Sequence, residues 1–133
     1  MNEQLITFRT AKLAKEKGLS IATTYYYDFS GSVGSSNRIN KINWNKSLDS
    51  IYSAPTQSLL AKWLREEHGI NVNIKHKPWS QAYSFTITGK YQEGDGGVLQ
   101  NFTFRNFDTY EEALEEGLYQ ALLLIEDKSN TVK

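Results

Sequence analysis

In the stretch Tyr52–Ile74, YSAPTQSLLAKWLREEHGINVNI, the apolar residues keep one period and then change to another, with punctuation at both joins. Leu59, Leu60, Trp63 and Leu64 recur at i, i+1, i+4 and i+5, and at about 100° per residue they share one stripe roughly 140° wide. Pro55 presets its own φ and lacks an N–H, which suits a first helical turn. Ser53 reads as the N-cap, its hydroxyl accepting from an otherwise unpaired N–H. His68 closes the helix, where a cation is favoured, and Gly69 is placed to take the left-handed C′ position. Beyond it, Ile70, Val72 and Ile74 alternate with Asn71, Asn73 and Lys75, the period of a half-buried strand. A helix feeding directly into a strand, each with one apolar face, requires other layers to cover it.

A chain of 133 residues is most simply one domain over 1–133, with 128–133 as a loose tail. It has no cysteine, which rules out disulfides and thiolate metal sites and fits a reducing, cytoplasmic setting. The start, MNEQLITFRT, has no apolar run of signal-peptide length. No stretch approaches ~18 consecutive apolar residues, so no membrane span is expected. Net charge is zero but unevenly spread: +3 over 1–50, +3 over 51–90 and −6 over 91–133. This balance argues against general nucleic-acid binding, which needs a strongly basic surface. The acidic part reads as a solvated helix face, or as one pole of a molecule that self-associates or meets a charged partner.

Thr7 caps a first helix over about Phe8–Lys17, and Gly18 ends it. Its apolar pattern is poor, so it either packs on two neighbours or lies shallowly on the surface. Ile21–Phe29 is β-branched and aromatic and reads as a strand. Gly31–Asn37 reads as a flexible turn or loop. Arg38–Trp44 reads as the return strand on 23–29, with a loop containing a short helical turn as the alternative. The KPWSQ turn at 77–81 puts Trp79 at or near its tip. Ala82–Tyr91 alternates as a strand, Glu93–Gly97 is a hairpin turn, and Val98–Arg105 returns. Asp108 is placed as N-cap with Glu111 in a capping box, opening a helix to about Glu126. Gly117 lies mid-stripe, where another backbone can approach closely. Leu122 and Leu123 are each either a lone exposed apolar residue or part of a subunit contact. The fold expected is α+β, a largely antiparallel sheet of about four to five strands with helices packed on it, in the order α-β-β-α-β-β-β-α.

Motifs for catalysis are missing. GDGG has no following Lys-Ser/Thr and reads as a turn, not a phosphate loop. His68 and His76 lack neighbours of metal-ligand type. No nucleophile-elbow sequence occurs. The glutamates at 111, 112, 115 and 116 read as an exposed helix face. What remains is aromatic and basic richness. Tyr26, Trp44 and Trp79 either cover sheet edges and loop bases or line a shallow site for a planar ligand or a protein. Arg38, Lys41, Lys75, His76 and Lys77 are the candidate anion contacts, with Arg65 on the exposed side of its helix. Ser53, at the start of the central helix, is a candidate phosphate contact. No metal and no cofactor is expected.

The segments ITFRTAKLAKEKGL, YSAPTQSLLAKWLREEHGINV and YEEALEEGLYQALLLI resemble a group of small uncharacterised proteins of phages, prophages and bacterial genomes. APTQSLLAKWLREEHGI is the most specific part. The resemblance carries over no functional residue. It implies a context in which small proteins bind and block a host protein or sequester a small molecule. The expectation is therefore a non-enzymatic binding protein for a host protein or an anionic, nucleotide-like molecule, working as a homo-oligomer. The alternatives are a structural protein–protein module and an enzyme with an unfamiliar site.

Overall fold

The computed structural model describes residues 4–35, 42–46, 50–89 and 98–125. The order is α1 (Phe8–Glu16), β1 (Tyr25–Tyr27), β2 (Val33–Ser35), a 3-10 turn (Trp44–Lys46), β3 (Tyr52–Ser53), α2 (Gln57–His68), β4 (Ile70–Lys77), β5 (Ala82–Gly89), β6 (Val98–Phe107) and α3 (Tyr110–Leu123). The fold is α+β, and every strand pair among the described residues is antiparallel. Its strands form two three-stranded sheets, in the orders β2-β1-β3 and β4-β5-β6, where one sheet was expected. The chain groups into two compact units, divided after Leu59, with Ile125 in the first. No helix among the described residues is long and apolar enough to cross a membrane.

In the first unit, the Thr7 hydroxyl accepts from the Thr10 N–H at 3.4 Å and starts α1. Gly18, at φ +96°, ends it. Leu19 N–H donates to Ala14 O at 2.9 Å and Gly18 N–H to Lys15 O at 3.1 Å, the paired bonds of a Schellman stop. The helix buries Thr10, Ala11 and Ala14, so its inner face is small. Phe8 adds aromatic packing: its ring lies 5.7 Å from Tyr27 and 5.8 Å from Tyr52. Those two tyrosines are register partners across β1 and β3, so one phenylalanine caps a cross-strand pair, worth about 0.5–1.5 kcal/mol per ring contact. Tyr27 and Tyr26 therefore point to opposite faces of β1.

The return strand is Val33–Ser35, inside the segment expected to be a flexible loop. Of the Arg38–Trp44 segment expected to pair there, Arg38–Lys41 lies outside the described residues, Ile42 makes a single bridge to Thr23, and Trp44 opens the 3-10 turn. The loop closes early because the Asp28 carboxylate holds it. It accepts from the Ser30 N–H at 2.9 Å, the Ser30 hydroxyl at 2.6 Å and the Ser32 N–H at 3.0 Å. These bonds hold the Asp28 carboxyl below its ordinary value, the Ser30 hydroxyl foremost.

In the second unit, α2 ends at Gly69, φ +66°, with Gly69 N–H donating to Arg65 O at 3.1 Å. The hairpin β4–β5 keeps an unbroken register from Ile70↔Gly89 to Lys77↔Ala82. Val72 pairs Ile87 and Ile74 pairs Phe85, and α3 packs on all three strands. Gly117 makes this packing close. The neighbours at that point are the side chains of Val72 and Phe85, where another backbone was expected. Leu118, Ala121 and Leu122 are fully buried while Leu123 is 47 % exposed, so Leu122 is core and only Leu123 faces out. The acidic run is not uniformly solvated: Glu111 and Glu112 are exposed, but Glu115 is buried beside Leu114 and Leu118. The cap of α3 is Thr109, its hydroxyl accepting from Glu112 N–H at 3.0 Å, while Glu112 Oε1 accepts from Asp108 N–H at 3.2 Å. The expected box at Asp108/Glu111 is thus shifted by one residue. The turn at 93–97 lies outside the described residues.

Candidate functional site

The β4–β5 turn is the place where the chain displays chemistry outward. Pro78 cannot donate to a ladder, so pairing stops at Lys77↔Ala82. The turn is then closed on a single acceptor: the Lys77 carbonyl receives Ser80 N–H at 3.2 Å and Gln81 N–H at 2.7 Å. Gln81 takes φ 54° to let the chain return, a conformation most side chains avoid. The result holds Trp79 at 85 % exposure. Lys75 and His76 are exposed on the strand leading to it, and Lys77 is half-buried. Strand alternation sends Lys75 and Lys77 to one face and His76 to the other. The His76 ring lies 4.7 Å from Tyr83, its register partner. Tyr83 in turn meets Tyr110 edge-on at 6.3 Å. The base of the turn is thus stiffened by a row of rings, and the tip carries the tryptophan.

The other sequence-derived candidates lie elsewhere. Tyr26 and Trp44 come together in the first unit, 4.4 Å apart and tilted at 46°. Both are half-buried, and Trp44 Nε1 donates to Thr23 O at 3.0 Å. The end of the Tyr26 ring crosses directly over Gly34, where a Cβ would stand 2.5 Å from Tyr26 Cζ. This pair fastens the 3-10 turn to the sheet. Ser53 is fully buried. Its N–H donates to Asn45 Oδ1 at 2.8 Å and its hydroxyl accepts from Asn45 N–H at 3.3 Å. It therefore does not cap α2. That role falls to Thr56, whose hydroxyl accepts from Leu59 N–H at 3.2 Å, while Gln57 N–H donates to Gln4 O at 2.8 Å. The helix start expected to face a phosphate is capped from within the chain. Arg65 is exposed on α2, and Arg38 lies outside the described residues.

Sequence reading missed Asn45, Thr56 and Gly34. Thr56 was legible in principle, since it stands three residues before Leu59 and directly precedes the helix. Asn45 and Gly34 act only through distant neighbours. Among the described residues no group of three or more His, Asp or Glu side chains is arranged to hold a metal ion. Comparison with protein-family models, with curated proteins and with solved structures finds no match for this chain.

Proposed function

We propose that this chain is a non-enzymatic binding protein whose contact surface is the turn between β4 and β5, and that its partner is a protein presenting an acidic surface around an apolar pocket. The observation that carries this reading is Trp79, 85 % exposed on a turn closed by two hydrogen bonds to Lys77 O. Burying a large apolar side chain that is otherwise exposed is worth about 1.5–3 kcal/mol. Tryptophan is the side chain most enriched at binding hot spots. A turn already fixed in place loses little entropy on association. Lys75 and Lys77, which share a face of the strand leading to it, favour negative charge on the partner and speed encounter.

The shape favours a protein over a nucleotide-like small molecule. Ligand sites for such molecules are concave, about 300–1,000 Å³, and enclose most of the ligand. The turn is convex and offers a side chain to be enclosed. The resemblance of three segments to phage and prophage proteins supports a host protein as the one blocked, and a chain free of cysteine fits work in the cytoplasm.

The test is a photo-crosslinking amino acid placed at position 79 in the full chain, followed by affinity measurement with the captured protein purified. Trp79→Ala and Lys75→Glu should each weaken that affinity by about tenfold or more, equivalent to about 1.4 kcal/mol. Binding unchanged by both substitutions would refute the assignment.

A further inference from the structure

We propose that the first unit carries a second, independent site: a pocket for an uncharged molecule the size of one six-membered ring. It opens where the ladder between β1 and β3 ends. Tyr26 pairs Ser53, and Ala54 N–H donates to Tyr25 O at 3.0 Å. The next residue, Pro55, has no N–H with which to continue. The two segments then turn to different partners. Thr23 exchanges both backbone hydrogen bonds with Ile42, at 2.9 and 3.1 Å, and Thr56 bridges Leu5. Between them lies a depression of about 170 Å³. Leu5, Thr24, Tyr25, Ala54, Pro55 and Leu59 are among the residues that line it.

Its dimensions and lining define the ligand. An apolar cavity of roughly 150 Å³ is enough to accept benzene. No lining residue is charged, so an ion placed there would lose hydration with no counter-charge to offset it. The Tyr25 ring, 45 % exposed, offers an aromatic wall. The Thr56 hydroxyl accepts from Leu59 N–H at 3.2 Å and lies 3.5 Å from Ser58 Oγ, a contact at the long limit of a hydrogen bond, so its hydrogen can turn to a ligand oxygen instead. A neutral ring bearing a carbonyl oxygen satisfies all of these features. A carboxylate on the same ring does not.

The experiment is titration of the full-length, 15N-labelled protein with benzamide and, separately, with benzoate, followed by two-dimensional NMR. Benzamide should move the amide signals of Thr24, Tyr25 and Thr56. Benzoate should bind about tenfold more weakly or less. Ala22 lines the same depression and is exposed, so Ala22→Leu fills the space from the rim without disturbing the core. It should weaken benzamide binding by about tenfold. Tyr25→Ala, which removes the exposed ring, should do the same. The site does not exist if benzamide moves no signal or moves only signals away from these residues. Equal binding of benzoate, or unchanged binding by both variants, overturns it as well.

Discussion

Gly117 on α3 leaves no space beyond its backbone on the side of Val72: a Cβ there would stand 2.5 Å from Val72 Cγ1. Phe85 closes the same place, with its Cγ 3.2 Å away. Alanine would raise helix propensity by about 1 kcal/mol, yet overpacking of this kind costs about 1–3 kcal/mol, occasionally more. Clash with a β-branched, stiff neighbour puts the cost at the upper end. Gly117→Ala should therefore lower stability by about 1–2 kcal/mol net in denaturant unfolding. Combining it with Val72→Ala should recover part of that loss, because the two changes act on one contact.

Gly34 plays the corresponding part in the first unit, under the Tyr26 ring. Trp44 also packs on that ring, at 4.4 Å, which restricts its movement. Gly34→Ala should destabilise by about 1–3 kcal/mol and alter the near-UV circular dichroism of the ring pair. In a Tyr26→Ala background the same substitution should cost far less. An equal cost in both backgrounds would mean the ring is not what glycine accommodates.

The Asp28 carboxyl titrates below its ordinary value because the folded loop donates hydrogen bonds to its ionised form. The sign follows from linkage. The contribution is fully present above the unfolded value, about pH 4, and is lost as pH falls through the lowered folded value. Asp28→Asn should be less stable than the parent at neutral pH. The gap should narrow on acidification below about pH 4. A difference between the two proteins that stays constant through that range would show the bonds to be unimportant.

Ser84 on the central strand β5 is fully buried, and its hydroxyl has no hydrogen-bond partner among the described residues. A buried polar group left unpaired costs about 1–3 kcal/mol. Ser84→Ala removes the hydroxyl and keeps the volume nearly constant. It should raise the denaturant midpoint, by about 1 kcal/mol in stability. A lowered midpoint would show that the hydroxyl is satisfied in solution.

Trp79 offers the cleanest separation of binding from folding. At 85 % exposure it contributes little to packing, and exposed substitutions usually change stability by less than about 0.5 kcal/mol. Trp79→Ala should thus unfold with the parent while losing partner affinity. A drop in stability comparable to that of a core truncation would place Trp79 in the fold and not at a contact.

What the residues determine locally was legible without tertiary information. Gly18 and Gly69 end their helices because each needs a left-handed φ that glycine adopts at least cost. Pro78 stops the β4–β5 ladder because it has no donor, and Trp79 follows it to the tip. Val72 and Ile74 share a face because strand side chains alternate. The basic and aromatic turn was therefore readable as a candidate site. Tertiary structure alone decided the rest. Val33–Ser35 became a strand despite its glycine and serine because Tyr26 needs Gly34 beneath it and Asp28 closes the loop. Ser53 left the helix cap to Thr56 because Asn45, eight residues earlier, takes both its backbone N–H and its hydroxyl. Among the described residues, six strands divided into two sheets instead of joining one. A strand's period states which residues share a face, but its partner is chosen by side-chain contacts between segments far apart in the chain.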